Sequence, residues 1–122
     1  MTVSRVTVAL DGDVAVAQLH GDVDLTNTAL IAGDVLQAVP RGVLGVVIDL
    51  THVRYIDSAG VQMIFELIRE HAVRRQGIAF ALPEGSPIGR LITITNLNEV
   101  AMFRCSAHEC AAALRASDPD TF

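Results

Sequence analysis

Lysine is absent from this chain of 122 residues: all nine basic residues are arginines, spread along the sequence rather than clustered. The all-arginine usage reads as a bias of the source genome and carries no functional weight. With a formal charge of -5, no segment offers the basic footprint that attracts a phosphate backbone or an anionic membrane surface. Direct nucleic-acid binding is therefore not expected. Cysteine is scarce, with only Cys105 and Cys110. No basic, apolar, small-residue leader precedes the first strand-like run, so the expected location is the cytoplasm. Long hydrophobic runs are missing too. A stretch such as 43–48 falls far short of the roughly 20 residues that span a bilayer, and no membrane partner is expected. Internal repeats and low-complexity segments are also absent.

What remains is an ordinary globular composition, 51% hydrophobic and 19% charged, enough for one core without disulfide or metal support. The expectation is a single domain over residues 1–116, followed by a disordered tail, 117–122. Residues 5–10 and 14–19 are β-rich runs around Asp11-Gly12-Asp13, whose Asp-Gly step favours a hairpin turn. Leu25, Ala29, Ala32, Leu36 and Val39 keep helical spacing, with Asp24 or Thr26 as cap and Pro40 as stop. Residues 46–50 are nearly unbroken apolar, as expected of a central strand covered on both faces.

A second helix is expected from about residue 58, with Val61, Ile64, Phe65, Ile68 and Ala72 inward. Gln62, Glu66, Arg69, Glu70 and Arg74 look outward, Glu70 and Arg74 as an i,i+4 pair, and Gly77 stops the helix. Residues 78–82 read as a strand. Ser86-Pro87 reads as a cap with proline at the first helical position of a short helix ending near Asn96. Residues 101–104 form a last strand, and Ser106-Ala107-His108-Glu109 is a capping box opening a terminal helix. The order predicts an α/β fold: a four- to five-stranded mixed, mainly parallel sheet with an N-terminal hairpin and about four helices. Loops at the strand carboxyl ends then gather on one edge, making neighbours of residues 21–26, 52–60 and 83–86.

The segment Tyr55-Ile56-Asp57-Ser58-Ala59-Gly60-Val61 stands on that edge. Its hydroxyl could belong to a helix cap, to a nucleophile, or to a site where charge is added and removed. If Asp57 caps the helix, Ile56 and Val61 form a hydrophobic staple, whereas a Ser58 cap would pair Asp57 with Gln62 and gain nothing. Asp57 is therefore the expected cap, leaving the Ser58 hydroxyl free to face solvent. Gly60 costs about 0.5–1 kcal/mol in a first turn relative to alanine. Either room for an approaching protein or close packing on the sheet would explain it.

Strand, loop, Asp57-Ser58-Ala59-Gly60, amphipathic helix and Gly77 together resemble the STAS domain, and in particular the bacterial anti-sigma factor antagonists with their D-S-[ST]-G turn. Gly21-Asp22-Val23-Asp24 is similar to the family's G-[ED]-[LIV]-D segment, and Arg90-Leu91 with Asn96-Leu97 to its R-L-F…G-L segment. Ala59 departs from the usual Ser or Thr, and Asn96 from the usual glycine. The resemblance implies that Ser58 is phosphorylated by a serine kinase of the histidine-kinase-like ATPase class that is also the anti-sigma factor. A serine phosphatase would restore the hydroxyl. It also implies that Asp22, Asp24, Thr26, Asp57, Ala59 and Gly60 border the partner-binding surface. The kinase would supply ATP, metal and catalytic base, so no cofactor, metal or catalytic residue is expected in this chain, which would be a kinase substrate rather than an enzyme.

Three other readings compete. A hydrolase would use Ser58 with His20, His52, His71 or His108 as base, but the G-x-S-x-G elbow is missing, with Ile56 where its first glycine would stand. A metal site from Cys105, His108 and Cys110 lacks a C-x-x-C pair, and cysteine more often fills apolar space. A STAS scaffold or ligand-sensing module that is never phosphorylated would carry the same turn.

Overall fold

The Asp11-Gly12-Asp13 turn closes an antiparallel hairpin of β1 (Arg5–Asp11) and β2 (Val14–Val23), with Gly12 at φ 60°. The computed structural model describes residues 5–117. Helix α1 (Thr28–Ala38) crosses to β3 (Gly45–Ile56), which pairs parallel with β2. Helix α2 (Ser58–Val73) leads to β4 (Gly77–Ala81), and two short helices, α3 (Gly89–Ile94) and α4 (Leu97–Val100), lead to β5 (Met102–Arg104). Helix α5 (Ala107–Ala116) ends the described chain. The sheet order is β1-β2-β3-β4-β5, antiparallel only at the hairpin. The expected fold class is the one observed.

Burial divides the molecule into unequal layers. Ala15, Leu19, Val46, Ile48 and Leu50 meet Ile31, Val35, Ile64, Leu67, Ile92 and Leu97 in the main core, on the face covered by α1 to α4. Val14, Val47, Ala79 and Ala81 meet Cys110, Ala111 and Leu114 of α5 on the other. Alternation along β3 explains the division, since Val46 and Ile48 turn one way and Val47 the other. The expected Ser106 cap of α5 is made, its Oγ accepting from Glu109 N at 3.1 Å, but the reciprocal half of the capping box is not: the Glu109 carboxylate accepts from the Ser106 hydroxyl at 3.2 Å instead of from the Ser106 amide.

Several expectations need correction. Strand β3 does not stop at residue 50 but continues to Ile56, beside the lengthened β2. Its last β4 partner is Asp49, opposite Ala81. The extension carries the following turn roughly 20 Å along the strand direction, at about 3.3 Å per residue. Residues 83–86, which leave β4 near its last pair, are therefore left behind and are not neighbours of that turn. Gly21, at φ 87°, sits where the β2–β3 register shifts between the Gly21↔Val53 and Val23↔Ile56 pairs, a bulge that the missing Cβ permits.

Helix α1 starts at Thr28 after an Asn27 N-cap that makes no side-chain cap bond, so neither Asp24 nor Thr26 is its cap. Its buried face is Ile31 and Val35, with Ala32 and Leu36 only partly covered, while Leu25 is 78% exposed and Ala29 is exposed. Counting from Leu25 began the helix one turn early.

Helix α2 buries Gly60, Val61, Met63, Ile64, Leu67 and His71, whereas Phe65 and Ile68 are half-buried and Ala72 is exposed. Arg74 does not form the expected pair with Glu70. Its guanidinium donates to the Leu36 carbonyl at 2.8 Å and to that of Val39 at 3.3 Å, closing the carboxyl end of α1. The left-handed residue after α2 is Arg75, at φ 58°, and Gly77 already belongs to β4.

The Ser86 hydroxyl accepts from Ile88 N at 3.3 Å, closing a turn ahead of α3 rather than capping it. The single short helix expected here is two, separated by Asn96 at φ 59°. Asparagine tolerates that left-handed geometry better than any other residue except glycine. Ser117 caps α5 through Oγ–Ala113 O at 2.8 Å; the remainder of the expected tail, 118–122, lies outside the described residues.

Candidate functional site

Where β2 and β3 end together, Asp57 ties two elements. It is the N-cap of α2, as expected, with extended backbone and with Oδ1 accepting from Gly60 N at 3.0 Å. Its other oxygen, Oδ2, accepts from Leu25 N at 3.1 Å, and its own amide donates to the Val23 carbonyl at 3.2 Å. One carboxylate therefore caps a helix and also holds the β2–α1 loop against that helix. The second role was not legible in the sequence, because Leu25 is distant along the chain.

That loop is folded by its own side chains. Asp24 Oδ1 accepts from the Thr26 amide at 2.9 Å and from the Thr26 hydroxyl. Asn27, which sequence reasoning passed over, is buried. Its Oδ1 accepts from Asp24 N at 3.0 Å, and its Nδ2 donates to the Asp22 carbonyl at 2.9 Å. The available signal was an Asn just ahead of an apolar helical pattern, a residue type that turns and helix starts favour. Asp24, Thr26, Asp57 and Ala59 thus meet at one edge, with half-buried Asp22 at the base of the loop.

Ser58 is the first residue of α2, and its side chain is exposed. Its hydroxyl makes no hydrogen bond to any described residue. Two residues on, Gly60 is buried. A Cβ there would run into Ile56 Cγ1, with Ile56 Cδ1 at 3.0 Å and Val23 Cγ1 at 3.1 Å. Close packing on the strand ends, rather than space for a partner, is the reason for this glycine. Ile56 and Val61 are both buried in the main core, as a staple requires.

Beside Ser58 lies a shallow groove of about 230 Å³, lined by Leu25, Thr28, Ala29, Ala59, Gln62, Met63 and Glu66. Apolar side chains floor it and a carboxylate edges it, with no basic residue in the lining. The groove is therefore apolar with an acidic edge.

No histidine attends the serine. His71 lies far along α2, about 20 Å away at 1.5 Å rise per residue. It is fully buried, with Nδ1 2.9 Å from the Leu67 carbonyl, and burial pulls its pKa below the ordinary 6.5. His20 and His52 stack on each other across β2 and β3, centroids 5.2 Å apart. His108 belongs to α5, which packs on the opposite face of the sheet. Cys105 is exposed and Cys110 is buried in the smaller core, where burial pushes its thiol up to about 11. Among the described residues no three His, Cys, Asp or Glu side chains gather in a way that could hold a metal ion, and no helix is long and apolar enough to cross a membrane.

The chain is thus a mixed sheet whose paired β2 and β3 ends present an Asp-Ser-Ala-Gly turn at a helix start. The STAS domain family model matches residues 5–110, and the chain belongs to that family. Among curated proteins no sequence matches. Among solved structures, a Thermotoga maritima protein assigned as an anti-sigma factor antagonist superimposes with TM-score 0.80 and 18% identity, covering 90% of this chain and 94% of that one. An anti-sigma factor antagonist from Mycobacterium paratuberculosis gives 0.78 and 18%, covering 93% and 95%. The anti-sigma factor antagonist SpoIIAA in its unphosphorylated form gives 0.66 and 16%, covering 93% and 100%. A sulfate transporter family protein from Wolinella succinogenes gives 0.66 and 14%, covering 88% of each.

Proposed function

We propose that this chain is an anti-sigma factor antagonist that works as a partner switch controlled at Ser58. With Ser58 unmodified, it captures an anti-sigma factor that is also a serine kinase and thereby frees the sigma factor. Phosphorylated by that kinase, it lets go, and a serine phosphatase resets it. The observation that carries the reading is the Ser58 hydroxyl, exposed and unbonded at the start of α2 next to the apolar groove and the tethered acidic loop.

The physics gives the direction. A phosphate brings about −1.5 to −2 charges at neutral pH. Within the chain it meets the amino end of α2, which favours an anion by about 0.3–1 kcal/mol, so the fold tolerates it. Against a partner the balance reverses. Burying the phosphate beside Asp57, Asp24 and Glu66 strips its water without supplying counter-charge from this chain, and each 1.4 kcal/mol lost is about tenfold in affinity. Asp24 and Asp57 already hold the loop through backbone amides, so neither has to rearrange for binding to fail.

The test is intact-mass measurement of protein purified from its native cells, followed by binding to a co-purified kinase. The expected result is one added phosphate, absent from Ser58→Ala, with Ser58→Asp binding at least tenfold more weakly than wild type. Phosphate acceptance by Ser58→Ala would refute the site, and undiminished binding by Ser58→Asp would refute the charge mechanism. The same fold in a sulfate transporter family protein supports the other reading, a scaffold or ligand-sensing module, and that reading predicts no phosphate on protein from any growth condition.

A further inference from the structure

A groove of about 470 Å³ opens at the carboxyl ends of β4 and β5, between residues 82–86, α3 and residues 103–105. Ligands of open α/β sheets commonly bind at that end of the strands, and a volume of this size suits a small organic molecule. Leu82, Ile92 and Phe103 supply its apolar wall. The Phe103 ring stacks on fully buried Phe80, centroids 5.1 Å apart, so that wall is anchored in the main core. The turn carrying Ser58 lies elsewhere, because β3 runs on past its last β4 pair.

Arg90 of α3 and Glu84 of the preceding loop both line this groove. Neither makes a hydrogen bond or ion pair with any described residue, so two opposite charges share one groove without meeting. Arg104, on the β5 wall, donates only to the Phe103 carbonyl, at 2.8 Å, which leaves most of its guanidinium open. Ser86 Oγ accepts from Ile88 N at 3.3 Å, so its O–H is available as a further donor. Gly89 also lines the groove and begins α3, a position where glycine is disfavoured. Its φ is not left-handed, and a Cβ there would meet no atom within 4 Å. Neither backbone nor packing asks for this glycine, and its bareness keeps the groove open.

We propose that this groove binds a free α-amino acid with an apolar side chain. The carboxylate pairs with Arg90 and Arg104, whose planar forks suit it. The ammonium pairs with Glu84, and the side chain lies on Leu82, Ile92 and Phe103. Charge selects this class over its neighbours. A phosphate or a dicarboxylate sets negative charge against Glu84, and a simple amine faces two arginines with nothing to offer them. Only a ligand carrying both signs satisfies every charged group in the lining. All three of those groups are exposed, so water and salt weaken the attraction and affinity in the millimolar range is expected. The site does not depend on the Ser58 reading.

The experiment is a titration of the isotope-labelled full chain followed by amide chemical shifts. Three compounds are compared: L-phenylalanine, phenylpropanoate, which lacks the ammonium, and phenylethylamine, which lacks the carboxylate. L-phenylalanine is expected to shift the amides of Gly85, Gly89 and Cys105 and to bind about threefold or more tightly than either analogue, the scale of an exposed ion pair. Arg90→Gln should weaken it by a similar factor, and Glu84→Gln should bring it level with phenylpropanoate. Gly89→Leu fills the opening and should abolish binding while urea unfolding stays native; the exposed Arg90 and Glu84 variants decide the matter if it does not fold. No groove shift with L-phenylalanine at millimolar concentration, an analogue that binds as tightly as the amino acid, or undiminished binding by a folded Arg90→Gln or Gly89→Leu protein overturns the proposal.

Discussion

Removing the Asp57 carboxylate while leaving Ser58 in place separates the two jobs of that side chain. In Asp57→Ala, α2 loses its cap bond to Gly60 N and the β2–α1 loop loses its bond from Leu25 N. N-cap removal costs about 1 kcal/mol, within a range of about 0.5–2. The second bond is solvent-exposed, and a net value near 1 kcal/mol is appropriate for it. The sum is about 2 kcal/mol, a fall of roughly 6–10 °C in Tm for a domain of this size. Asp57→Asn keeps one oxygen and presents an NH2 group to the other donor, so it should fall between alanine and wild type, at about 1 kcal/mol. Urea unfolding measures both. Amide exchange by NMR tells them apart: both Gly60 and Leu25 should exchange faster in alanine, and only one of them in asparagine. An alanine variant within about 0.5 kcal/mol of wild type, with Leu25 exchange unchanged, would refute the claim that Asp57 ties the loop to the helix.

Gly60→Ala gains about 1 kcal/mol of helix propensity but drives its methyl into Ile56 and Val23; overpacking of this kind costs about 1–3 kcal/mol. Net destabilisation is expected in urea unfolding, and a stabilised variant would show that the strand ends yield easily. Burial is the main cause of the lowered His71 pKa; the Leu67 carbonyl opposes it, Arg74 adds to it and Glu70 opposes it. The unfolded chain therefore binds a proton near pH 6.5 that the folded chain refuses, so stability is unaffected well above that pH and falls as pH drops through it. His71→Leu should lose that part of the acid slope, and an unchanged slope between about pH 6.5 and 5 would place it in other groups.

How much of this was readable depended on how local the cause was. The hairpin follows from Asp11-Gly12-Asp13, the Asp57 cap from its place before an apolar helical run, and the α5 cap from Ser106 and Glu109, because each is decided within a few residues. Strand β3 shows where local reading stops. Residues 46–50 are buried on both faces and look like a strand, whereas from residue 51 onward only Val53 and Ile56 are buried and the pattern looks like a loop. Pairing with β2, not side-chain alternation, makes that segment a strand. The α1 stripe failed for the related reason that Leu25, apolar and at helical spacing, is held in the loop by Asp57.

Sequence alone determined the fold class, the order of the strands and of the longer helices, and the serine at the start of α2, since hydrophobic periodicity and capping chemistry act over neighbouring residues. Only the tertiary structure decided that β2 and β3 outrun the rest of the sheet, that Asp57 reaches across to Leu25, that Gly60 is fixed by Ile56 and Val23, and that β1 is the outer strand beside β2. Those are contacts between segments far apart in the chain. Which segments meet is settled by the packing of the whole sheet, and no local stretch of residues contains that information.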